Sequence, residues 1–313
     1  MQTRKAFIDL GTNVFHLLIA EYAPQQAPQK LIDERIGVKI GEGGISQGLI
    51  VEAAQVRIYE ALEQFALRLK SYEIVPEEAT VVATSAFRNA QNATQIIGNI
   101  QQKTRFQVQI ISGDEEALLI YKGVNNALKI GENTALLMDI GGGSVEFSLA
   151  NAQKIFWKQS FEIGAQRLLD AFFTQDPIST ENIQQINNYL EDVLKPLWAA
   201  TRIHSPSQLV GSSGTFETLV EIHSLRTNGY FDNNLSSSFL SKAEFEHIYD
   251  DIIAKNRQER LQTQGIIPVR ADMIVVALIM LKYIVEKFQF RGIRISFFAL
   301  KEGLMYQAKE NMP

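Results

Sequence analysis

The chain has 313 residues, 46% hydrophobic and 21% charged, with a formal net charge of −5. That length suggests two domains with sizeable cores, and the slightly acidic balance argues against a general nucleic-acid binder, whose domains are usually basic. Cysteine is absent, which excludes disulfides and thiolate metal sites. His16, His204, His223 and His247 show no paired metal-ligand spacing. Arg4 and Lys5 are followed at once by the first apolar strand, with no apolar region of signal-peptide length. The longest apolar stretch, Met273 to Leu281, is far short of the ~20 residues that span a bilayer. The expectation is a soluble cytoplasmic protein with neither a membrane nor a nucleic acid as partner.

Residues 5–20, KAFIDLGTNVFHLLIA, read as a strand, a tight Gly/Thr turn and a returning strand. Residues 31–38 give a third strand, and 41–48, GEGGISQG, a Gly-rich loop. Glu52 to Lys70 forms an amphipathic helix with Val56, Tyr59, Leu62, Phe65, Ala66 and Leu69 on one face. A strand over 79–84 ends in the loop SAFRNAQN, followed by a helix over 92–104 and a short strand over 108–111. SGDEEALLIYKGV then opens a helix, with Ser112 or Asp114 as N-cap and Glu115 and Glu116 at the positive end of its dipole.

The order restarts with a second hairpin at 135–150, ALLMDIGGGSVEFSLA, and a strand near 153–160. A helix begins in FEIGAQRLLDAFF, and another covers 181–201. A strand at 208–210 leads into GSSGTFETLVEIHSL, and 225–237 is a polar loop. Helical segments continue over 242–262 and 271–288, before a last strand at 294–299 and a terminal helix. The boundary falls near 125–134, which gives lobes of 1–126 and 127–300, with the terminal helix 301–313 able to pack back onto the first.

The two hairpins align without a gap: Asp9 falls on Asp139, Leu10 on Ile140, Gly11 on Gly141 and Ala20 on Ala150. Glycines let backbone approach a ligand, and successive N–H groups in such a turn form an anion-binding nest. An Asp at the strand end can hold a cation or its waters. Duplication of the device points to a two-lobed α/β protein that grips phosphate and a divalent metal in a cleft between lobes. Either hairpin alone would be an ordinary turn.

Other segments admit both a functional and a plain reading. Arg88, just past a strand end, can bind phosphate in bidentate fashion, or sit as a surface arginine. An acid of the 112–124 segment can serve as general base, or simply favour the helix dipole. VGSSGTFETL at 210–219 suits an anion or nucleotide at a helix start, or makes a tight turn. Trp157 and Trp198 read as core or lobe-interface residues, His16 as a packing residue, and Glu302 and Gly303 as an ordinary helix start. Arg270 and Asp272 form a salt bridge, or Arg270 points at a ligand.

Taken in order, IDLGTNVFHLLIA (8–20), ATSAFRNAQN (83–92), ISGDEEALLIYKGV (111–124), LMDIGGGSVEFSLA (137–150), VGSSGTFETL (210–219) and KEGLMY (301–306) resemble the exopolyphosphatase / guanosine pentaphosphate phosphohydrolase family. The resemblance implies two duplicated ribonuclease H-like domains of the actin / sugar kinase / Hsp70 superfold around a central cleft. It implies Mg²⁺-dependent (or other divalent-cation-dependent) hydrolysis of a terminal phosphoanhydride in inorganic polyphosphate or guanosine pentaphosphate. By the same resemblance Glu116 is the general base, and Asp139 and Glu146 hold the metal. Asp9, Gly11, Thr12, Asn13, Arg88, Gly141, Gly142, Gly143, Ser144, Gly211, Gly214 and Thr215 bind phosphate.

The chain departs from the family pattern at Val14 and Val145, which lack a hydroxyl, at Ser213, where a second Gly is common, and at Lys301, where Arg is frequent. The motifs stop short of the HD-type helical domain of the long members, so the likeness is to the short, two-domain type. A homodimer is compatible with this reading. The rival readings are an ATP-dependent kinase of the same superfold and a non-catalytic sensor of polyphosphate or a guanosine alarmone.

Overall fold

A computed structural model describes residues 3–312; Met1, Gln2 and Pro313, which end the expected first lobe and terminal helix, lie outside the described residues. The chain divides into two compact units, one of residues up to Gly123 together with those from Leu300 onward, the other Val124–Ala299.

The first unit opens with β1 (Thr3–Leu10), β2 (Val14–Tyr22) and β3 (Gln29–Gly37), then α1 (Glu52–Lys70), β4 (Thr80–Ala83), α2 (Ser85–Asn89), α3 (Ala93–Thr104), β5 (Val108–Ile110) and α4 (Gly113–Ala127). Its sheet runs β3-β2-β1-β4-β5, antiparallel in the β1–β2–β3 meander and parallel from β1 to β4 to β5. Ile8, Leu10, Phe15, Leu17 and Ile19 pack with Ile58, Leu62, Phe65 and Leu69 of α1 and with Ile96 and Ile100 of α3. The buried face of α1 differs from the expected one. Ile58 belongs to it, whereas Val56 is 50% exposed, since the i, i+3, i+4 stripe through 58, 61, 62, 65 and 69 leaves position 56 off the core.

The second unit repeats the order with β6 (Ala135–Ile140), β7 (Val145–Ala150) and β8 (Ile155–Phe161), then α5 (Ala165–Phe172), α6 (Thr180–Val193), α7 (Lys195–His204), β9 (Gln208–Ser212), α8 (Gly214–Asn228), β10 (Ser237–Ser241), α9 (Lys242–Ala254), α10 (Arg257–Leu261), α11 (Met273–Phe288) and β11 (Gly292–Ser296). Its sheet order is β10-β11-β9-β6-β7-β8. Read from β8, this matches the first sheet strand for strand, with β10 added as an antiparallel edge. The duplicated α/β architecture is therefore present in both units. Trp198 is buried in this unit's core and Trp157 packs against it. Among the described residues no helix is long and apolar enough to cross a membrane.

Several boundaries move for local reasons. The helix expected over 181–201 breaks at Leu194, because Pro196 in the first turn of α7 has no N–H to continue the ladder. The segment 242–262 is two helices, each opened by a capping box, Ser241 with Glu244 and Asn256 with Glu259. The polar loop expected at 225–237 is shorter, since α8 runs on to Asn228 before Gly229 turns left-handed. Its far end enters β10, a strand that polar Ser237 and Ser238 conceal.

The last helix, α12 (Leu300–Glu310), packs on β1 and β2 within the first unit. Glu302 is wholly buried and accepts from Lys30 Nζ at 2.6 Å, with Lys301 Nζ at 2.9 Å, so it is an ion-paired anchor and not an ordinary helix start. Gly303 also has a structural reason: a Cβ there would stand 1.9 Å from the Leu119 carbonyl oxygen of α4. The Tyr22 hydroxyl donates to the Met305 carbonyl at 2.8 Å. Burial, with a smaller contribution from Tyr306, holds the Tyr22 phenol in its neutral form to higher pH than usual.

Gly303→Ala forces backbone apart and should lower stability by about 1–3 kcal/mol, measured by chemical denaturation. Tyr22 makes alkaline stability pH-dependent. Its folded-state pKa lies above the unfolded value of about 10, so its contribution is complete below pH ~10 and is lost as pH rises from there. Tyr22→Phe should cost about 1 kcal/mol at pH 7 and show a shallower decline in stability than the wild type between pH ~9.5 and ~11.5.

Candidate active site

The second hairpin builds a polar row across its sheet. Register sets Asp139 of β6 opposite Glu146 of β7, Glu146 opposite Ser160 of β8, and Asp139 beside Ser212 of β9. Cross-strand partners share one face of a sheet, so Ser212, Asp139, Glu146 and Ser160 line up on one face of four strands. Asp139 is 5% exposed and Glu146 3%. Directly opposed residues place their Cβ atoms about 5 Å apart.

Hydroxyls hold both acids. Ser212 Oγ donates to Asp139 Oδ2 at 2.6 Å, and Ser213 Oγ lies 2.6 and 2.7 Å from Oδ1 and Oδ2. Ser160 Oγ donates to Glu146 Oε1 at 2.6 Å. Burial pushes the Asp139 carboxyl above its usual range; the Ser212 and Ser213 hydroxyls oppose this, and the charge of Glu217 on α8 adds to it. The donor set is all oxygen, two carboxylates with hydroxyls beside them. Among the described residues no group of three or more His, Asp or Glu could hold a metal.

The turn between these strands, Gly141 to Ser144, is fixed from one side. The first amides of α5 donate into it: Gly164 N to Gly143 O at 3.1 Å, Ala165 N to Gly141 O at 2.9 Å and Gln166 N to Gly142 O at 2.8 Å. Arg167 Nε adds a bond to Gly143 O at 2.9 Å. These are amides that a helix N-terminus leaves without intrahelical partners. The loop carbonyls are thereby occupied, while the amides of Gly142 and Gly143 donate to no described residue. Gly164 is required, because a Cβ there would come within 2.5 Å of Gly142 and Gly143 backbone atoms.

The first hairpin has the same scaffold with different charges. The Asn13 carbonyl accepts from the Val38 and Lys39 amides, each at 2.9 Å, and the Thr12 carbonyl from Gly41 at 3.2 Å. Gly11 abuts the Val14 carbonyl as Gly141 abuts that of Ser144. Asp9, however, stands opposite His16, and His16 opposite Arg35. An acid–acid row in one unit corresponds to an acid–base row in the other. His16 thus occupies the position equivalent to Glu146.

Arg88 and Glu116, assigned separate roles from the sequence, are brought together. Arg88 Nη1 donates to Glu116 Oε2 at 2.6 Å and to the Ile111 carbonyl at 3.2 Å. Arg88 sits on α2, within the segment expected to be a loop, and Glu116 in the first turn of α4. Ser112 is the residue whose hydroxyl receives an α4 amide, that of Glu115 at 3.1 Å.

At the third Gly-rich segment, Gly211 lies beneath the Phe216 ring, and Gly214 lies against the Arg270 guanidinium. Thr215 is buried in the first turn of α8. Arg270 does not pair with Asp272. It donates to Thr218 Oγ1 at 3.1 Å and reaches Glu217 at 3.4 Å, whereas Asp272 is taken by Arg257 and the fully buried Arg260. The sequence reading missed Ser212, Ser160, Glu217 and the α5 start. The one local signal was the serine pair directly before Gly214.

The model of the Ppx/GppA phosphatase family matches residues 18–312. An exopolyphosphatase from Cytophaga hutchinsonii is similar at 37% identity over 99% of each chain, with a TM-score of 0.96. The Aquifex aeolicus member of the Ppx/GppA family shares the fold at 23% identity over 100% of each chain, with a TM-score of 0.80. A match that spans nearly the whole chain, both hairpins included in the structural alignment, places this protein in the Ppx/GppA phosphatase family.

Proposed function

We propose that this chain is an exopolyphosphatase that removes terminal phosphates from inorganic polyphosphate with the help of Mg²⁺, and that guanosine pentaphosphate is its second candidate substrate. As a member of a phosphatase family, the chain is a hydrolase acting on phosphoanhydride bonds. The observation that carries the finer reading is the buried Asp139–Glu146 pair beside a glycine turn whose carbonyls are already occupied. Opposed carboxylates repel, and a cation relieves that repulsion. Mg²⁺ is commonly held by one or two carboxylates with phosphate oxygens and water completing the shell, which suits this donor set. When bound, it would offset charge on the transferring phosphoryl group.

The chain's own residues divide the remaining work. The Gly142 and Gly143 amides and Arg88 stabilise phosphate oxygens, since positioning and electrostatics dominate phosphoryl transfer. Glu116 accepts a proton from the attacking water, or orients it. Its pairing with Arg88 holds the carboxylate in one place, and an incoming phosphate competes with it for the guanidinium.

Glu116→Ala should lower phosphate release by about 10²–10⁴-fold with substrate binding retained; near-wild-type turnover would remove Glu116 from the base role. Asp139→Asn takes a charge out of a buried site. It should raise the melting temperature of the metal-free protein at pH 7, abolish the additional stabilisation by Mg²⁺ and suppress phosphate release. A melting temperature that still rises with Mg²⁺ in this variant would place the cation elsewhere. Phosphate release from short polyphosphate, long polyphosphate, guanosine pentaphosphate and ATP, compared side by side, ranks the substrates.

A further inference from the structure

Ser213, between β9 and α8, has φ +73° and ψ −179°. That combination is essentially reserved for glycine. Arg105, Ser205 and Gln289 also have positive φ, but each closes a helix in the left-handed region, where a polar residue is tolerated. Ser213 instead opens a helix with an extended ψ. It does not act as a side-chain cap; its carbonyl receives the Phe216 and Glu217 amides, at 3.1 and 3.2 Å. Its hydroxyl is on Asp139.

The strained backbone and the hydroxyl contact have one explanation. Successive residues of a strand point to opposite faces. Ser212, the last residue of β9, already faces Asp139 in register. A regular continuation would turn residue 213 to the other face of the sheet. The positive φ reverses this and lets two consecutive serines reach one carboxylate.

We infer that Ser213 is a positioning residue for Asp139, retained in a glycine conformation because its hydroxyl spans both carboxylate oxygens and fixes the plane of the group. Ser212 alone bonds Oδ2 and leaves rotation about χ2, a broad torsion for Asp. With Ser213 across Oδ1 and Oδ2, the carboxylate is held at both ends. The inference rests on the reading that Asp139 meets the cation, and it adds the residue that aims it.

The test compares Ser213→Gly, Ser213→Ala and Asp139→Asn with the wild type. Melting temperature is measured on the metal-free protein, and Mn²⁺ binding, without substrate, from the electron paramagnetic resonance signal of the free ion. Glycine relieves the strain, so Ser213→Gly should melt about 2–4 °C higher. It should nevertheless bind Mn²⁺ about 10–100-fold more weakly, the usual effect of removing a group that orients a metal ligand. Its kcat for polyphosphate should fall while KM stays within about twofold. Ser213→Ala keeps the strain and loses the hydroxyl, so it should share the binding defect without the gain in melting temperature. A Ser213→Gly protein with wild-type Mn²⁺ affinity and kcat would overturn the inference if Asp139→Asn abolishes Mn²⁺ binding. If Asp139→Asn binds Mn²⁺ as the wild type does, the cation reading falls and takes the inference with it.

Discussion

The register of β6 against β7 forces Asp139 and Glu146 to face each other in a buried row. Like charges directly opposed in a sheet destabilise it, and burial adds a desolvation cost for each ionised group. The apolar core around the row supplies the stability that tolerates this. β6 and β7 are buried along their whole length, and α11 contributes ten buried positions to the same core. The flanking serines then reduce the local cost by donating to the carboxylates without neutralising them. A site of this kind is less stable than an apolar substitute would be, which is the usual relation between active-site chemistry and fold stability.

Duplication shows which part of the device is scaffold and which is chemistry. In both hairpins the glycine after the acid abuts a carbonyl three residues on. In both, other amides occupy the turn's carbonyls, those of Val38, Lys39 and Gly41 in one case and those of Gly164, Ala165 and Gln166 in the other. That much follows from the need to close a tight turn while leaving one side for a ligand. The charges do not repeat. The row through Asp9 continues to His16 and Arg35, while the row through Asp139 continues to Glu146. Only the second sets two acids directly opposite each other.

The sequence disclosed what is local. Strand, turn and strand are written in consecutive residues, and the order of elements, repeated twice, was enough to expect two α/β units. The row of Ser212, Asp139, Glu146 and Ser160 was not readable, because it depends on the register of four strands and its members are spread over residues 139–212. The Arg88–Glu116 pair was hidden for the same reason, since 28 residues separate partners whose contact depends on how α2 and α4 leave their strands. Some misses were local after all. Pro196 announces the break between α6 and α7, and Ser241 with Glu244 and Asn256 with Glu259 are capping boxes visible in the sequence. Ser213 is different in kind: the resemblance marks its position as one where glycine is common, and the backbone angles add that the serine keeps the glycine conformation.

Two ways of holding a buried acid coexist in the chain, and they separate the roles proposed for Glu116 and Asp139. Glu116 is neutralised by a guanidinium, so the pair carries no net charge and has little attraction for a cation. Breaking such a pair is unfavourable unless the freed arginine finds another anion, and a substrate phosphate is one. Among the described residues the side-chain donors to Asp139 are hydroxyls, and these orient a carboxylate without pairing it with a cationic group. An acid that must attract a cation needs the second arrangement. An acid whose lone pair is to be released when phosphate arrives is better served by the first. On the proposed function, the partner chosen for each acid, arginine or serine, is therefore what assigns one to the water and the other to the metal.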